Sequence, residues 1–97
     1  MTSPYIGTFN YGVAILPSMA AVEIRIELKK GVADPEGGNT KKTLESLGFL
    51  GVKSVRSVKV FEMELEMDPE AARVAADDMC RKLLANPVIQ NYSITVR

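Results

Sequence analysis

The residue of this chain best suited to nucleophilic chemistry is its single cysteine, Cys80. A catalytic thiolate needs a neighbouring base or a positive field that lowers the pKa of the thiol. The sequence contains no histidine, the usual partner of a nucleophilic cysteine and the commonest general base. Cys80 also falls on the apolar stripe of a predicted helix, where free cysteine is usually a core residue. We therefore predict a structural thiol and assign no catalytic residue to this chain.

Three other patterns could bind a ligand, and each has a simpler interpretation. Gly37 and Gly38 stand near the start of a predicted helix, where backbone amides can hold a phosphate. No complete Walker or dinucleotide motif surrounds them, so turn geometry explains them better. Arg56 and Lys59 are either solvated strand residues or a grip on an anionic group. A solvated face is also more common than a metal site for carboxylates at alternate strand positions without histidine, here Glu62, Glu64 and Glu66. We expect no metal or cofactor bound by this chain.

The composition is typical of an ordinary globular domain. The 97 residues are 46% hydrophobic and 25% charged, and twelve basic residues balance twelve acidic ones. A nucleic-acid-binding domain usually carries a basic excess, and RNA-binding sheets need more aromatic residues than this sequence offers. No charged segment leads into a long apolar run, as it would in a signal peptide. We expect one domain in the cytoplasm, with neither nucleic acid nor membrane as a partner.

The pattern of apolar residues predicts the first two elements of the fold. Apolar and charged residues alternate over residues 22–29, which is typical of a half-buried strand. Asp34 and Pro35 open a helix, because Asp caps the first free amides and Pro fits the first helical position. Gly48 ends this helix in the left-handed conformation that glycine favours. The apolar residues that follow are expected to turn inward, namely Phe49 and Leu50.

A long extended segment is predicted over residues 52–67. Its apolar residues occupy even positions up to Val60 and odd positions from Phe61. Because strand side chains alternate between two faces, this change requires a bulge or bend within one core, or two halves packed against different partners. Both alternatives stay open at this point. The odd-numbered face that another subunit would cover carries Phe61, Met63 and Leu65.

The remaining elements complete an α+β fold. A second helix opens at Asp68 and Pro69 and stops at Asn86 and Pro87. A last strand follows over residues 92–96. The apolar stripe of the second helix consists of Ala72, Ala75, Ala76, Met79, Cys80, Leu83 and Leu84. The order strand, helix, long strand, helix, strand predicts a two-layer sandwich with both helices on one face of a small sheet, related to the ferredoxin-like layout.

Residues 1–20 differ from the rest of the chain, because they contain no acidic or basic side chain. We interpret them as an N-terminal extension to a domain spanning residues 21–97. Met19 is a plausible alternative start, so two origins stay open for residues 1–18: native chain, or an addition ahead of the native start.

Three segments carry a family resemblance. They are the strand ending at Lys30 with ADPEG at residues 33–37, VRSVK at residues 55–59, and MCRKLLANPVIQNY at residues 79–92, of which the last is the most specific. Together they make residues 21–97 similar to PurS, the small subunit of phosphoribosylformylglycinamidine synthase. The family pattern favours glycine where this chain has Val58, so the bend of the long strand is expected to be built differently here.

The resemblance implies a non-catalytic subunit of an amidotransferase complex of purine biosynthesis. In such a complex, a glutaminase subunit releases ammonia, and a synthetase subunit uses ATP and Mg²⁺ to convert formylglycinamide ribonucleotide to the amidine. The PurS-like chain bridges the two, assists ammonia transfer and forms a homodimer, with a tetramer as the alternative. The candidate subunit-interface residues are Asp34, Pro35, Gly37, Arg56, Lys59, Phe61, Met63 and Leu65.

A different class of protein stays open as an alternative. Small sheets of the ferredoxin-like or ACT type also serve as regulatory domains that bind a small molecule at a dimer interface. In this chain such a site is expected near residues 31–38. Fold alone does not separate the two classes.

Overall fold

The computed structural model describes residues 18–97, together with the short strands at residues 9–10 and 13–14. Most of the predicted extension, residues 1–20, lies outside the described residues, so its origin and role stay predictions. The elements in chain order are β1 Phe9–Asn10, β2 Val13–Ala14, β3 Ala20–Leu28, α1 Pro35–Ser46, β4 Lys59–Leu65, α2 Pro69–Met79 with a π-helical turn Cys80–Leu84, and β5 Gln90–Val96. β1 and β2 pair with each other in antiparallel fashion.

The strand β3 is the centre of an antiparallel sheet with the order β4-β3-β5. Its pairing with β4 covers residues 20–26 and its pairing with β5 covers residues 22–28. Val22, Ile24 and Ile26 are buried on one face, whereas the charged residues between them point to the other face. The alternation predicted for this strand is confirmed, and the strand begins at Ala20.

The helix α2 covers the apolar face of the sheet. Its residues Ala72, Ala76 and Cys80 recur every four positions, lie on one side of the helix and are buried. Their small side chains allow the helix to pack closely on β3 and β5. The buried core consists of Ala20, Val22, Ile24, Ile26, Ala72, Ala76, Cys80 and Ala85, with half-buried residues of β4 and β5 around it.

The π-helical turn after α2 changes which apolar residues face the core. The Ala85 amide donates to the Cys80 carbonyl at 3.0 Å, so the last turn is wider than a regular α-helical turn. The wider turn rotates Leu83 off the predicted stripe, and it is 83% exposed, whereas Leu84 stays half-buried. The stripe prediction was therefore wrong at Leu83. The helix ends just before Asn86 and Pro87, as predicted.

The helix α1 begins and ends as the sequence predicts. Asp34 is its N-cap, and Gly48 follows it with φ +92°. The amides of Gly48 and Phe49 donate to the carbonyls of Glu45 and Leu44, both at 3.0 Å, which is a Schellman motif. However, Phe49 and Leu50 do not turn inward: they are 57% and 93% exposed. In the part of the chain that the structure describes, α1 has at most marginal contact with the other helices and strands.

The long extended segment is only partly a strand. β4 covers Lys59–Leu65, and its register with β3 contains no bulge. Residues 52–58 precede the strand without sheet pairing, so the bulge alternative was wrong. Val60 is 45% exposed on the polar face, whereas Phe61 faces the core. The change of the apolar residues from even to odd positions thus lies near the point where the segment enters the sheet.

The α+β class and the order of strands and helices are confirmed. The one difference lies in the layers, because α2 alone packs on the sheet while α1 extends away from it.

Candidate subunit interface

The carboxylate of Asp34 joins two segments that are distant in sequence. Its Oδ1 accepts hydrogen bonds from the backbone N–H of Gly37 at 2.9 Å and from the hydroxyl of Ser57 at 2.7 Å. Its Oδ2 accepts from the backbone N–H of Ser57 at 2.8 Å. The first bond caps α1, and the other two attach the segment before β4 to the start of the helix. We call Asp34, Gly37 and Ser57 the Asp34 junction.

The junction keeps Asp34 charged. The pKa of its carboxyl lies below the ordinary value of 3.8, first because of the hydrogen bond from the Gly37 amide and then because of those from Ser57. The nearby guanidinium of Arg56 lowers this pKa further. Near neutral pH the carboxylate is therefore ionised, and its hydrogen bonds are charge-assisted, which makes them stronger than bonds between neutral groups.

Gly37 is buried at the centre of the junction. A Cβ at this position would lie 2.5 Å from Asp34 Oδ2 and 2.5 Å from the carbonyl oxygen of Val55. Only glycine lets the helix start approach the segment around residues 55–57 so closely. The reason for glycine at this position is thus close packing inside the first turn of α1, rather than the turn geometry that the sequence predicted. Pro35 occupies the first helical turn and is exposed.

The predicted basic residues Arg56 and Lys59 make contacts within the chain. Arg56 Nη2 lies 3.2 Å from Glu27 Oε2, and Arg25 Nη2 lies 3.7 Å from the same oxygen. Lys59 Nζ lies 5.8 Å from the ring centroid of Phe61. Exposed ion pairs of this kind contribute little to stability. Binding of an anionic group by Arg56 and Lys59 stays an untested alternative.

The predicted apolar face of β4 lies against the chain's own core. Phe61, Met63 and Leu65 are half-buried and pack on the cluster beneath α2. The surface that they leave for a partner is therefore smaller than an unpaired strand face would provide, and their role at an interface stays a prediction. Glu62, Glu64 and Glu66 are exposed, as expected.

An uncovered apolar surface at the end of α1, within residues 18–97, was missed by the sequence interpretation. Leu47 is 68% exposed, and with Phe49 and Leu50 it forms what we call the α1 apolar tip. The composition of α1 could have predicted this surface, because the only large apolar residue of the helix is Leu44. A helix that is polar on nearly all sides has no apolar stripe that could pack on the sheet, and the residues that follow it lie at its exposed end. Contiguous exposed apolar residues of this kind commonly mark an interaction site.

Cys80 is buried and structural, as the sequence predicts. Burial raises the pKa of its thiol, and the negative charge of Asp77 raises this pKa further. The reactive thiolate is therefore scarce near neutral pH.

We expect Cys80 to react with a thiol reagent at pH 8 only as fast as the chain opens. The reaction should be at least tenfold faster in urea, where the thiol is exposed and its pKa returns toward the ordinary value. The absorbance of a released aromatic thiol measures both rates. Equal rates in buffer and urea would contradict the burial.

Residues 79–92, the most specific segment of the family resemblance, serve mainly as scaffold. The hydroxyl of Tyr92 donates to Asp77 Oδ1 at 2.6 Å, and Arg81 Nε lies 3.0 Å from Asp77 Oδ2. The first contact ties β5 to α2, and the second lies within the helix and its π-helical turn. The hydrogen bond to Asp77 also raises the pKa of Tyr92, so its hydroxyl stays protonated near neutral pH.

A groove of about 600 Å³ lies beside Gly31, where the regulatory alternative places a small molecule. Glu27 and Arg56 in its lining pair with each other, and the carboxylate of Asp34 accepts hydrogen bonds from Ser57. The groove therefore favours no second function.

The described residues form neither a metal-binding cluster nor a membrane-spanning helix. Within residues 18–97, no group of three or more His, Cys, Asp or Glu side chains is arranged to hold a metal ion. The described helices also include none that is long and apolar enough to cross a bilayer.

These features define a class of protein: a small α+β subunit whose exposed apolar tip and sheet edges are suited to assembly. The family model for PurS, described as phosphoribosylformylglycinamidine (FGAM) synthase, matches residues 21–97. The chain belongs to the PurS family.

Individual relatives agree with this assignment. The PurS subunit of phosphoribosylformylglycinamidine synthase from Archaeoglobus fulgidus is 55% identical over 76 residues, which cover 77% of this chain and 95% of the relative. The crystal structure of PurS from Methanocaldococcus jannaschii superposes with a TM-score of 0.75 at 41% identity, covering 80% of this chain and 95% of that one. A chain in a structure of PurLQS from Thermotoga maritima superposes with a TM-score of 0.73 at 28% identity, covering 81% and 98%.

Proposed function

We propose that this chain is the non-catalytic subunit of the phosphoribosylformylglycinamidine synthase complex of de novo purine biosynthesis. In this role it bridges the glutaminase and synthetase subunits and assists the transfer of ammonia between them. The support comes from membership of the PurS family and from the similarity to a chain of PurLQS. The structural observation that carries the proposal is the α1 apolar tip, which the described residues leave uncovered.

The proposed role is consistent with the chemistry that the chain lacks. Ammonia in water near neutral pH is mostly protonated and then has no lone pair for nucleophilic attack. A route shielded from water keeps it reactive between the site that releases it and the site that consumes it. Such a bridge needs shape and contact surfaces rather than a catalytic residue. ATP and Mg²⁺ are then used by the synthetase subunit, in the cytoplasm where the pathway operates.

A second copy of this chain is the proposed cover of the α1 apolar tip. The tip projects from a helix that has marginal contact with the chain's own sheet, so its burial requires another surface. β4 and β5 are the outer strands of the described sheet, and outer strands expose backbone groups that can pair with another chain. A symmetric dimer would use these features twice.

Mixing the purified chain with the synthetase and glutaminase subunits tests the proposal. Size-exclusion chromatography with light scattering is expected to show one species that contains all three polypeptides. A matched sample that lacks this chain is expected to elute as separate subunits. Elution of the chain on its own at equimolar micromolar concentrations would contradict the bridging role.

A further inference from the structure

We infer that the Asp34 junction is a clasp that fixes the direction of α1 and so presents the α1 apolar tip for assembly. The clasp is a property of the chain alone. Its use in assembly rests on the proposed function.

The first argument is that little else holds α1. In the described part of the chain, the hydrogen bonds that connect α1 and its cap to another segment are the two between Asp34 and Ser57. The close approach of Gly37 to the Val55 carbonyl adds a steric contact at the same end. The other end of the helix carries the tip and is exposed. The helix is thus held at its start, and along its length it has at most marginal contact with the other described helices and strands.

The second argument is a comparison with α2, which begins with the same Asp-Pro pair. Asp68 caps α2 with a hydrogen bond from the Ala71 amide at 2.8 Å, and among the described residues its carboxylate has no bond to a distant segment. The direction of α2 is set by burial of Ala72 and Ala76 on the sheet. Since α1 has no such packing, its direction depends on the junction.

The third argument is that a small tilt at the start of α1 displaces its far end. A helix of twelve residues is about 18 Å long at 1.5 Å per residue. A tilt of about 10° at its start therefore moves the far end by about 3 Å, which is enough to misplace an apolar surface against a partner. The same carboxylate holds Ser57, so the segment leading into β4 is fixed together with the helix.

The test uses Ser57→Ala and Asp34→Asn, with Asp68→Asn as the matched control. Ser57→Ala keeps the cap bond to Gly37 and removes the hydroxyl bond. Asp34→Asn keeps one acceptor and replaces the other with an amide donor. Hydrogen exchange of the isolated chain, followed by mass spectrometry, is expected to show about tenfold faster exchange in residues 35–47 and 52–58 for both variants. Exchange in β3 is expected to be unchanged, which shows that the domain stays folded. Asp68→Asn keeps an acceptor for the Ala71 amide, and it is expected to leave exchange in residues 35–47 and 52–58 unchanged.

A second readout connects the clasp to assembly. The Kd of self-association, measured by sedimentation equilibrium, is expected to rise about tenfold in both junction variants and to be unchanged in Asp68→Asn. Unchanged exchange in residues 35–47 would overturn the clasp. Faster exchange with an unchanged Kd would overturn its role in presenting the tip. A wild-type chain that does not self-associate would contradict the proposed dimer, and the exchange measurement would still decide the clasp.

Discussion

Replacement of Ile24 by alanine is expected to lower the free energy of unfolding by about 2–5 kcal/mol. Ile24 is fully buried at the middle of the central strand, between β4 and β5 and beneath α2. Truncating it removes apolar contacts and leaves a cavity that rigid neighbours fill only in part. For a domain of this size the melting temperature should fall by roughly 10–30 °C. Urea unfolding followed by circular dichroism measures the change.

The matched control is Arg25→Ala, one residue along the same strand. Its side chain is exposed on the opposite face and makes one ion pair, with a distance of 3.7 Å to Glu27. Exposed pairs of this kind are worth at most about 1 kcal/mol, and surface substitutions usually change stability by less than about 0.5 kcal/mol. Equal losses for the two variants would contradict the assignment of the sheet faces.

Replacement of Phe49 by aspartate is expected to weaken self-association at least a hundredfold. Full burial of a large apolar side chain is worth about 1.5–3 kcal/mol, and a symmetric dimer would bury two copies of Phe49. Loss of about 3 kcal/mol corresponds to about a hundredfold in Kd, and the introduced charge adds a desolvation penalty. Because Phe49 is 57% exposed in the chain itself, the fold should persist. Sedimentation equilibrium gives the Kd.

The control for the charge is Thr40→Asp, at an exposed position of α1. It adds the same negative charge outside the α1 apolar tip, and self-association is expected to be unchanged. If Phe49→Asp assembled as tightly as the wild type, the tip would not be the dimer contact. The far-UV circular dichroism of both variants should match that of the wild type.

Most of the fold could be predicted from local patterns. Alternation over residues 22–29 identified the central strand, because a strand with one buried face must alternate. The repeated Asp-Pro pair located both helix starts, and Gly48 located one helix end, because these residues satisfy particular backbone groups. These features depend on neighbours in sequence. A single sequence contains that information.

Two of the errors of prediction have long-range causes, and the third has a local one. Whether residues 52–58 form a strand depends on a pairing partner, which the described chain does not offer them. Phe49 and Leu50 were expected to turn inward because they are apolar, but their direction is set by how α1 leaves the sheet. Leu83 was misplaced because a regular helix was assumed where a π-helical turn occurs.

In the candidate site, too, local features could be predicted and contacts between distant residues could not. Asp34 as a helix cap was predictable from the residues beside it. Its bonds to Ser57 were not, because they join positions 23 residues apart and depend on the path of the intervening chain. Arg56 was chosen as a contact residue without its partner Glu27, which lies 29 residues earlier in sequence. Capping is a local property, whereas the junction is a property of the fold.

The most direct test of the central claim compares two nitrogen sources in the reconstituted complex. Amidine formation from formylglycinamide ribonucleotide and ATP is measured with glutamine and, separately, with ammonium salt, each with and without this chain. If the chain bridges the two active sites, its omission should abolish the glutamine-dependent reaction and leave the ammonia-dependent reaction of the synthetase subunit. A glutamine-dependent rate that is unchanged without the chain would contradict the account.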